Sequence, residues 1–325
     1  MAEKLLDRKL ARIRSGLYQP QDFVIADAKD GDMAFGVTAP GPKAGGGWKT
    51  KSQYLEAMKS MSKSGLVDIM LMSASSAETL SNDGLFGDSL VTPAVRLNDT
   101  TDIWMARGSR YRQFPSVPFA SADIESVRSF CNLGLYSMTF SNDLQSDLAS
   151  LNAYRAFRMI AREAEFQHFL EVFNPANDIG IKADEIGHYI NDMIIKSVAG
   201  VTTVTAPLFL KIQFNGAASM SDLCRYDIDN LIVGILGGAA GTTRDTFELA
   251  HQAEQAGCRV ALFGRKINLA EAPLELVRLM RETIEQKTTP DAAVVSYHAY
   301  LGENEITPQR GLKEDRQITD PVLRQ

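Results

Sequence analysis

The segment Leu231-Ile-Val-Gly-Ile-Leu236 is a short apolar run, followed by a stretch with a helical pattern, Thr243–Gln255, and a second apolar run, Arg259-Val-Ala-Leu-Phe263. Short apolar runs bounded by polar residues or glycine are typical of parallel strands that are buried on both faces. Two such runs joined by a helix predict a strand–helix–strand unit, with both strands in one parallel sheet.

The same alternation repeats along the chain and predicts eight strands with helices between them. The predicted strands are Phe23–Ala28, Val67–Met72, either Thr92–Leu97 or Ile103–Ala106, Leu133–Phe140, His168–Phe173, Pro207–Phe214, Leu231–Leu236 and Arg259–Phe263. The predicted helices are Tyr54–Met61, Asp147–Glu165, Asp184–Val198, Thr243–Gln255 and Pro273–Glu285. Eight units favour an α/β fold of the closed (β/α)8 TIM barrel type over a doubly wound sheet. A doubly wound sheet would also have a Gly-x-Gly-x-x-Gly turn after its first strand, which Asp27-Ala-Lys-Asp-Gly31 does not match.

The length of 325 residues fits one barrel of roughly 250 residues with extensions. The segment beyond Thr288 carries Pro290, Pro308, Pro321 and many charged residues. We therefore expect a barrel domain over residues 1–287 and a C-terminal arm or tail over residues 288–325. This arm is expected to lie outside the barrel, against a neighbouring subunit of a homo-oligomer.

Composition narrows the classes of partner and cofactor. A net charge of −6 argues against nucleic acid or an anionic membrane surface as the main partner. The three cysteines and four histidines show no paired metal-ligand spacing, so we expect neither a metal nor an organic cofactor. The start Met1-Ala-Glu-Lys4 lacks the apolar stretch of a secretory signal, and no segment is long enough to span a bilayer. We expect a cytoplasmic protein with reduced thiols.

Lys211 is predicted to point into the barrel from the sixth strand. Side chains along a barrel strand alternate between the interior and the surrounding helices. In Leu208-Phe-Leu-Lys-Ile-Gln-Phe214 every second side chain from Leu208 is apolar and suits the helix-facing side, so Lys211 and Gln213 face inward. Active sites of these barrels lie at the carboxyl ends of the strands. Burial disfavours a charged lysine, and a neutral amine attacks carbonyl compounds to form an imine. The alternative is a structural lysine paired with an interior carboxylate.

Glu171 on the fifth strand has the same inward direction. In His168-Phe-Leu-Glu-Val-Phe173 the apolar Leu170 and Val172 suit the helix-facing side, which leaves Glu171 inside the barrel beside Lys211. A carboxylate in that position is a candidate for proton transfer. Its alternative role is a plain ion pair with Lys211.

The first strand follows the pattern more weakly. Val24, Ala26 and Ala28 form one side, interpreted as helix-facing, and the other side holds Ile25, Asp27 and Lys29. On this interpretation Asp27 faces inward and is a second candidate for proton transfer or for binding a substrate hydroxyl. Lys29 either pairs with Asp27, binds an anion, or replaces Lys211 as the nucleophile. Lys29 and Gln213 are the weaker candidates for substrate contact.

Glycine-rich loops follow the seventh and eighth predicted strands. The seventh leads into Gly237-Gly-Ala-Ala-Gly-Thr-Thr243, and the eighth leads into Gly264-Arg-Lys266. Barrels often bind phosphate with backbone N–H groups of these two loops. Glycine lets an anion approach the backbone closely, and the guanidinium group of Arg265 can donate two hydrogen bonds to the same anion. The predicted phosphate-binding residues are Gly237, Gly238, Gly264 and Arg265.

The loop after the first strand, Gly36–Trp48, is long and rich in glycine and is followed by Lys49 and Lys51. One interpretation is a lid that excludes water and contacts an anion. The other is a mobile surface loop.

These segments resemble the class I, Schiff-base aldolases of the deoxyribose-phosphate aldolase superfamily. The closest resemblance is to the tagatose-bisphosphate and archaeal-type fructose-bisphosphate aldolases. Phe169-Leu-Glu171 is similar to the strand-five segment that carries a catalytic glutamate in the tagatose-bisphosphate group. Leu210-Lys-Ile-Gln-Phe-Asn-Gly216 resembles the strand-six Schiff-base segment, and Phe263-Gly-Arg265 resembles the strand-eight phosphate motif. The resemblance is best from His168 to Met280.

Three departures from these families concern the site. Archaeal-type enzymes have Asp-His-Gly after strand one, where this chain has Asp27-Ala-Lys-Asp-Gly31, so Asp30 is an alternative to Asp27. They have Trp-x-Tyr on strand five, where this chain has Glu171-Val-Phe-Asn174. Gly237-Gly238 replaces a Ser/Gly pattern after strand seven.

The resemblance implies an aldehyde-lyase that cleaves or forms a carbon–carbon bond in a phosphorylated sugar or keto compound. Lys211 would form the imine, and Glu171 with Asp27 would move protons. The alternatives are a Schiff-base transferase or synthase on the same barrel, and a sugar-phosphate-binding regulatory protein without useful turnover.

Overall fold

The computed structural model describes residues 3–43, 45–103 and 106–324 and contains a closed barrel of eight parallel strands. In chain order these are Val24–Lys29, Ile69–Met72, Thr92–Arg96, Leu133–Thr139, Gln167–Phe173, Leu210–Ile212, Gly234–Leu236 and Val260–Phe263. Each strand pairs with the next, and the barrel closes where the first strand pairs with the eighth, with Val24 opposite Val260. The prediction of a (β/α)8 barrel is confirmed.

The third barrel strand is Thr92–Arg96, which decides between the two predicted segments. The other segment, Ile103–Ala106, begins at the end of a 3-10 turn, and its residues 104 and 105 lie outside the described residues. Between the third and fourth barrel strands the chain forms an insert, in which Asn98–Thr100 and Pro118–Ala120 pair in an antiparallel two-stranded sheet.

The five predicted helices are present, with small differences at their ends, and further helices that were not predicted complete the layer around the barrel. They are Leu5–Arg14, Asp32–Phe35, Lys51–Lys63, Ala74–Asn82, Ile124–Val127, Leu144–Glu163, Ile186–Val198, Ala217–Tyr226, Thr243–Gln255, Arg265–Asn268, Pro273–Ile284, Pro290–Glu303 and Leu312–Asp315. The helix predicted from Tyr54 begins three residues earlier, because Thr50 and Gln53 form a capping box. Among the described residues, no helix combines the length and the apolar composition needed to cross a bilayer.

The buried apolar side chains form one cluster between barrel and helices and a second cluster inside the barrel. Helix Leu5–Arg14 contributes Leu6, Leu10 and Ile13 to the interior cluster. Its Lys9 also donates a hydrogen bond from Nζ to the carbonyl oxygen of Phe23, just before the first strand, at 3.0 Å. This helix therefore closes the amino end of the barrel, and the carboxyl end is left for a site.

The direction predicted for the first strand is wrong. The interior cluster contains Val24, Ala26 and Ala28 together with Phe169 and Phe209. Ile25 lies in the cluster between barrel and helices, so Asp27 and Lys29, which share its side of the strand, face the helices. Lys29 donates from Nζ to Asp27 Oδ1 at 2.8 Å. This buried pair produces the same alternation of polar and apolar residues as an inward polar face, which is why the pattern was ambiguous.

The C-terminal segment packs on the barrel of its own chain. Helix Pro290–Glu303 lies against helices Thr243–Gln255 and Pro273–Ile284. Its side chains in the buried cluster are Ala293, Val294, Tyr297 and Leu301. Farther on, Asp315 Oδ1 accepts a hydrogen bond from the backbone N–H of Thr243 at 2.8 Å. A division at residues 287 and 288, and contact with a second subunit, stay predictions.

Candidate active site

A cavity of about 760 Å³ opens at the carboxyl end of the barrel. The barrel strands contribute Ala28, Arg96, Glu171, Lys211, Leu236 and Leu262 to its wall. Loops that follow the strands and the C-terminal residues Asp320 and Val322 complete the lining. The cavity therefore occupies the end of the fold at which barrel enzymes carry their active sites.

Lys211 and Glu171 are paired at the bottom of this cavity. They are direct neighbours in the register of the fifth and sixth strands. Lys211 Nζ lies 2.6 Å from Glu171 Oε1, and both residues are less than 5% exposed. Leu170 and Leu210, on the other side of the same strands, pack toward the helices, so the predicted inward direction of both polar residues is confirmed.

Glu171 accepts hydrogen bonds on its second oxygen as well. Its Oε2 accepts from Ser137 Oγ at 2.7 Å and from Arg96 Nη2 at 2.9 Å. Ser137 lies opposite Glu171 in the register of the fourth and fifth strands. With three donors around one carboxylate, the orientation of Glu171 toward the amine of Lys211 is fixed.

Arg96 is the centre of this network, although it was not among the predicted site residues. Its Nε donates to Asp30 Oδ2 at 2.6 Å and its Nη1 to Ser137 Oγ at 2.8 Å, in addition to the bond to Glu171. A fourth contact, from Nη1 to Asp99 Oδ1, is longer at 3.3 Å. Arg96 lies two residues after the interior Ala94, so the alternation of side chains along the strand predicts that it also faces inward. That prediction was possible only once Thr92–Arg96 was known to be the third strand.

Two of the three carboxylates that contact Arg96, those of Asp30 and Asp99, have different acidities. Burial alone raises the pKa of Asp30, but the charges of Arg96 and Lys211 outweigh it and leave that pKa below its usual range. Burial raises the pKa of Asp99 to about 6, despite the opposing charge of Arg96. Asp99 Oδ2 has no partner among the described residues. Asp30 is therefore a stable counter-ion, whereas Asp99 titrates near pH 6.

Asp30, and not Asp27, is the carboxylate that follows the first strand into the cavity. Asp30 lines the cavity wall, whereas Asp27 and Lys29 lie on the helix-facing side of the strand and are not part of that wall. Burial raises the pKa of Asp27 against the opposing charge of Lys29. The predicted inward placement of Asp27 is wrong. Lys29 pairs with Asp27, which is one of the three roles considered for it, and its contact with a substrate stays a prediction. Gln213 does line the cavity.

All four residues predicted to bind phosphate line the cavity: Gly237, Gly238, Gly264 and Arg265. A Cβ atom on Gly264 would lie 2.8 Å from the carbonyl oxygen of Ala28, so only glycine fits at this position. Arg265 lies over the ring of Phe35 and forms no ion pair with the described residues. Arg112, from the insert, is a further cation in the wall.

The helix after the seventh strand does not offer a free N-terminus. Thr242 and Asp245 form a capping box there, and Asp315 occupies the N–H of Thr243. An anion would therefore bind to the loop residues before the helix and to Arg265.

The loop Gly36–Trp48 lies beside the cavity, and its Ala39 is part of the wall. Asn268 donates from Nδ2 to the carbonyl oxygen of Ala39 at 3.0 Å, and Lys51 pairs with Asp32 at 2.9 Å. Residue 44 of this loop lies outside the described residues. Closure of the loop as a lid stays a prediction.

A buried carboxylate from the insert also reaches the cavity. Asp102 Oδ1 accepts from Ser116 Oγ at 2.7 Å and from Thr139 Oγ1 at 3.1 Å, while its Oδ2 has no partner among the described residues. Within those residues, no group of three or more His, Cys, Asp or Glu side chains is arranged to hold a metal ion.

Comparison with protein-family models and with curated protein sequences gives no match. Solved structures are similar to this chain at low sequence identity. An archaeal fructose 1,6-bisphosphate aldolase has a TM-score of 0.61 and 14% identity, covering 86% of this chain and 99% of that one. An archaeal fructose-1,6-bisphosphate aldolase with its catalytic Lys covalently bound to the carbinolamine intermediate has a TM-score of 0.61, 15% identity and the same coverage, 86% and 99%.

A fructose-bisphosphate aldolase from Slackia heliotrinireducens has a TM-score of 0.64 and 13% identity, and the match covers 94% of this chain and 92% of that one. At such identities the similarity concerns the fold. The chain has the (β/α)8 barrel that is also found in Schiff-base aldolases, in agreement with the superfamily that its sequence motifs resemble.

Proposed function

We propose that this protein is a class I aldolase in which Lys211 forms the covalent intermediate. The observation that carries the proposal is the buried pair of Lys211 Nζ and Glu171 Oε1, 2.6 Å apart, in the wall of the cavity. A glutamate at hydrogen-bond distance from a lysine can take up the proton that the amine must lose before it attacks a carbonyl carbon.

The proposed reaction begins when Lys211 Nζ adds to a substrate carbonyl and the carbinolamine loses water to give an iminium ion. The iminium draws electrons from the neighbouring carbon–carbon bond. As that bond breaks, the hydroxyl on the departing carbon gives its proton to Glu171, and an aldehyde leaves. The remaining enamine takes a proton back on carbon, and hydrolysis of the imine frees Lys211. No metal is needed, because the iminium is the electron sink.

Arg96 and Asp30 support this chemistry from behind Glu171. Arg96 binds Glu171, Asp30 and Ser137 at once, so it holds the glutamate in one orientation while the proton moves. Asp30, which follows the first strand and lines the cavity, takes the place that was predicted for Asp27.

The proposed substrate is a phosphorylated sugar or keto compound. The loops at Gly237, Gly238 and Gly264 allow close backbone approach, and Arg265 is a cation without a carboxylate partner among the described residues. The similar structures named above are fructose-bisphosphate aldolases, which is consistent with a phosphorylated substrate. A cytoplasmic location and a homo-oligomer stay predictions.

Borohydride reduction in the presence of keto phosphates tests the covalent step. We expect a substrate-derived mass on the peptide that contains Lys211, and no adduct and no turnover in Lys211→Met, whose unbranched side chain keeps the barrel packed. Lys63→Met, at an exposed lysine outside the cavity wall, is the matched control and should trap normally. Turnover should survive EDTA.

An adduct on Lys29 or Lys266, or turnover by Lys211→Met, would refute the assignment. Phosphate binding with no adduct on any lysine would instead support a sugar-phosphate-binding protein. An adduct without release of an aldehyde would support a transferase or synthase.

A further inference from the structure

A second cavity, of about 350 Å³, lies at the opposite end of the barrel from the candidate active site. Its wall is formed by the last turns of helix Leu144–Glu163, the start of the fifth strand and the 3-10 turn Thr203–Thr205. These elements flank the amino ends of the strands that carry Glu171 and Lys211. The polar side chains of this wall include Arg158, Arg162, His168, Thr203 and Thr205.

Arg158 is a half-buried cation with an incomplete set of partners. Its Nη1 donates to Thr205 Oγ1 at 3.0 Å, and its guanidinium lies 5.1 Å from the ring centre of Tyr154. Its Nε is buried and has no hydrogen-bond partner among the described residues. Since a buried donor without an acceptor costs free energy, the fold leaves a position here for an acceptor from outside.

Arg162 adds a second positive charge to the same wall. It follows Arg158 by four residues on one helix, a spacing that places both side chains on the same face. Neither arginine forms an ion pair with a described residue, although Glu165 lies in the cavity wall. The hydroxyls of Thr203 and Thr205 are further donors at the same cavity.

His168 does not add a third charge. Burial, together with the charge of Arg158, lowers its pKa to about 3, so its ring is neutral at ordinary pH. The ring lies 3.0 Å from the hydroxyl of Tyr154, measured from Nε2. The two arginines are therefore the charged groups that face an anion in this cavity, with Glu165 the opposing charge at its wall.

We propose that this cavity binds a phosphate group, held by the guanidinium groups of Arg158 and Arg162 and by the hydroxyls of Thr203 and Thr205. Paired guanidinium groups with hydroxyl donors suit a tetrahedral anion with several acceptor oxygens. The phosphate group belongs either to the free ion or to a phosphorylated metabolite.

A bound anion would tie two elements that support the catalytic pair. Leu208 donates from its backbone N–H to the carbonyl oxygen of His168 at 2.8 Å, which joins the segment after Thr205 to the fifth strand. An anion between Arg158 and Thr203 would fix the turn that leads into the strand of Lys211. This site is distinct from the phosphate loops at the carboxyl end of the barrel.

The test is a calorimetric titration of the full-length chain with inorganic phosphate at constant ionic strength. Arg265→Gln is used as the background, so that the carboxyl-end site contributes little. We expect binding to persist in that background. Adding Arg158→Gln or Arg162→Gln should raise Kd by about tenfold or more, as expected for the loss of a charge-assisted hydrogen bond. Arg155→Gln removes the same charge from the same helix outside the cavity and should leave Kd unchanged.

The side chain of Arg162 is exposed and forms no hydrogen bond with a described residue, so Arg162→Gln keeps the test valid if Arg158→Gln fails to fold. Glycerol 3-phosphate in place of phosphate distinguishes the two sources, since tighter binding of the ester indicates a metabolite and tighter binding of the ion indicates free phosphate. The proposal is overturned if Arg265→Gln abolishes all binding, or if Arg155→Gln weakens binding as much as Arg158→Gln does. Neither result depends on whether Lys211 forms an imine.

Discussion

At the residue scale, Glu171 combines two tasks that usually require separate groups. Its Oε1 contacts the amine of Lys211, while its Oε2 is held by Arg96 and Ser137. The held oxygen fixes the carboxylate in place, and the other oxygen remains directed at the group that must lose a proton. This division explains why a proton acceptor can be both rigid and reactive in the same cavity.

We expect Glu171→Gln to lower kcat by about 10²–10⁴, the range for the loss of a general acid or base. Glutamine keeps the shape of the side chain but cannot accept a proton from Lys211. Steady-state kinetics combined with borohydride trapping separates the effects, since an adduct that forms slowly on Lys211 indicates a retained nucleophile. An unchanged kcat in a folded variant would remove Glu171 from the mechanism.

Arg265 provides a second prediction at this scale. Because it lines the cavity without a carboxylate partner among the described residues, Arg265→Gln should raise KM for a phosphorylated substrate by the equivalent of about 1.5–3 kcal/mol, with a smaller effect on kcat. Arg110→Gln, at an arginine that donates to Gln113 outside the cavity, is the control. If KM is unchanged in a folded Arg265→Gln variant, the phosphate binds elsewhere, and Lys49 and Lys51 are the next candidates.

At the element scale, a uniformly apolar side did not always give the direction of a strand. In the sixth strand the side of large apolar residues packs toward the helices, and Lys211 lies inside the barrel as predicted. In the first strand, small alanines face inward and the large Ile25 faces the helices, with the pair of Asp27 and Lys29 hidden behind the strand. When two polar side chains on the helix-facing side of a strand pair with each other, the alternating pattern does not show which side faces the barrel interior.

The third strand shows the other limit. Arg96 could have been identified by its spacing from Ala94, but two candidate segments competed for the third position. The insert after this strand has no counterpart in the strand–helix alternation, so neither the contact of Asp99 with Arg96 nor the place of Asp102 in the cavity wall could be predicted. Residues in insertions reach a site through tertiary contacts, which periodicity does not describe.

The insert also carries a pH-dependent element, through Asp99. Its folded pKa of about 6 lies above the unfolded value, so the folded state binds the proton more tightly and protonation stabilises it. Stability from this group is present below about pH 4 and is lost as the pH rises through 6. The change is about 3 kcal/mol at most for a shift of roughly two pKa units.

Asp99→Asn removes this titration, since asparagine stays neutral throughout. We expect the free energy of unfolding of Asp99→Asn, relative to the parent protein, to increase between pH 4 and pH 7. Urea unfolding at a series of pH values in this range measures the difference. A difference that does not change with pH would show that Asp99 does not titrate in this range. Asp123→Asn, at an exposed helix cap outside the cavity, controls for the loss of a surface charge.

At the scale of the whole molecule, the two ends of the chain close different ends of the barrel. The first helix, Leu5–Arg14, closes the amino end with its apolar side chains. The last residues run beside the loop after the seventh strand, where Thr319 donates to Asp245 and Asp320 lines the cavity. The C-terminal segment therefore links the outer helices to the candidate site.

The packing of helix Pro290–Glu303 predicts that residues 1–287 do not form a stable domain on their own. Val294, Tyr297 and Leu301 are each at most 1% exposed against neighbouring helices. Burial of three such side chains contributes roughly 5–9 kcal/mol, a large part of the usual stability of a domain. We expect a chain ending at residue 287 to be insoluble or to lack cooperative urea unfolding and a near-UV circular dichroism spectrum.

A chain ending at residue 303 is the control, because it keeps the helix and should unfold cooperatively. It should bind a phosphorylated substrate more weakly, because the wall residues Asp320 and Val322 are missing. If the chain ending at residue 287 unfolds cooperatively at the same urea concentration as the full chain, residues 288–325 are a separable tail.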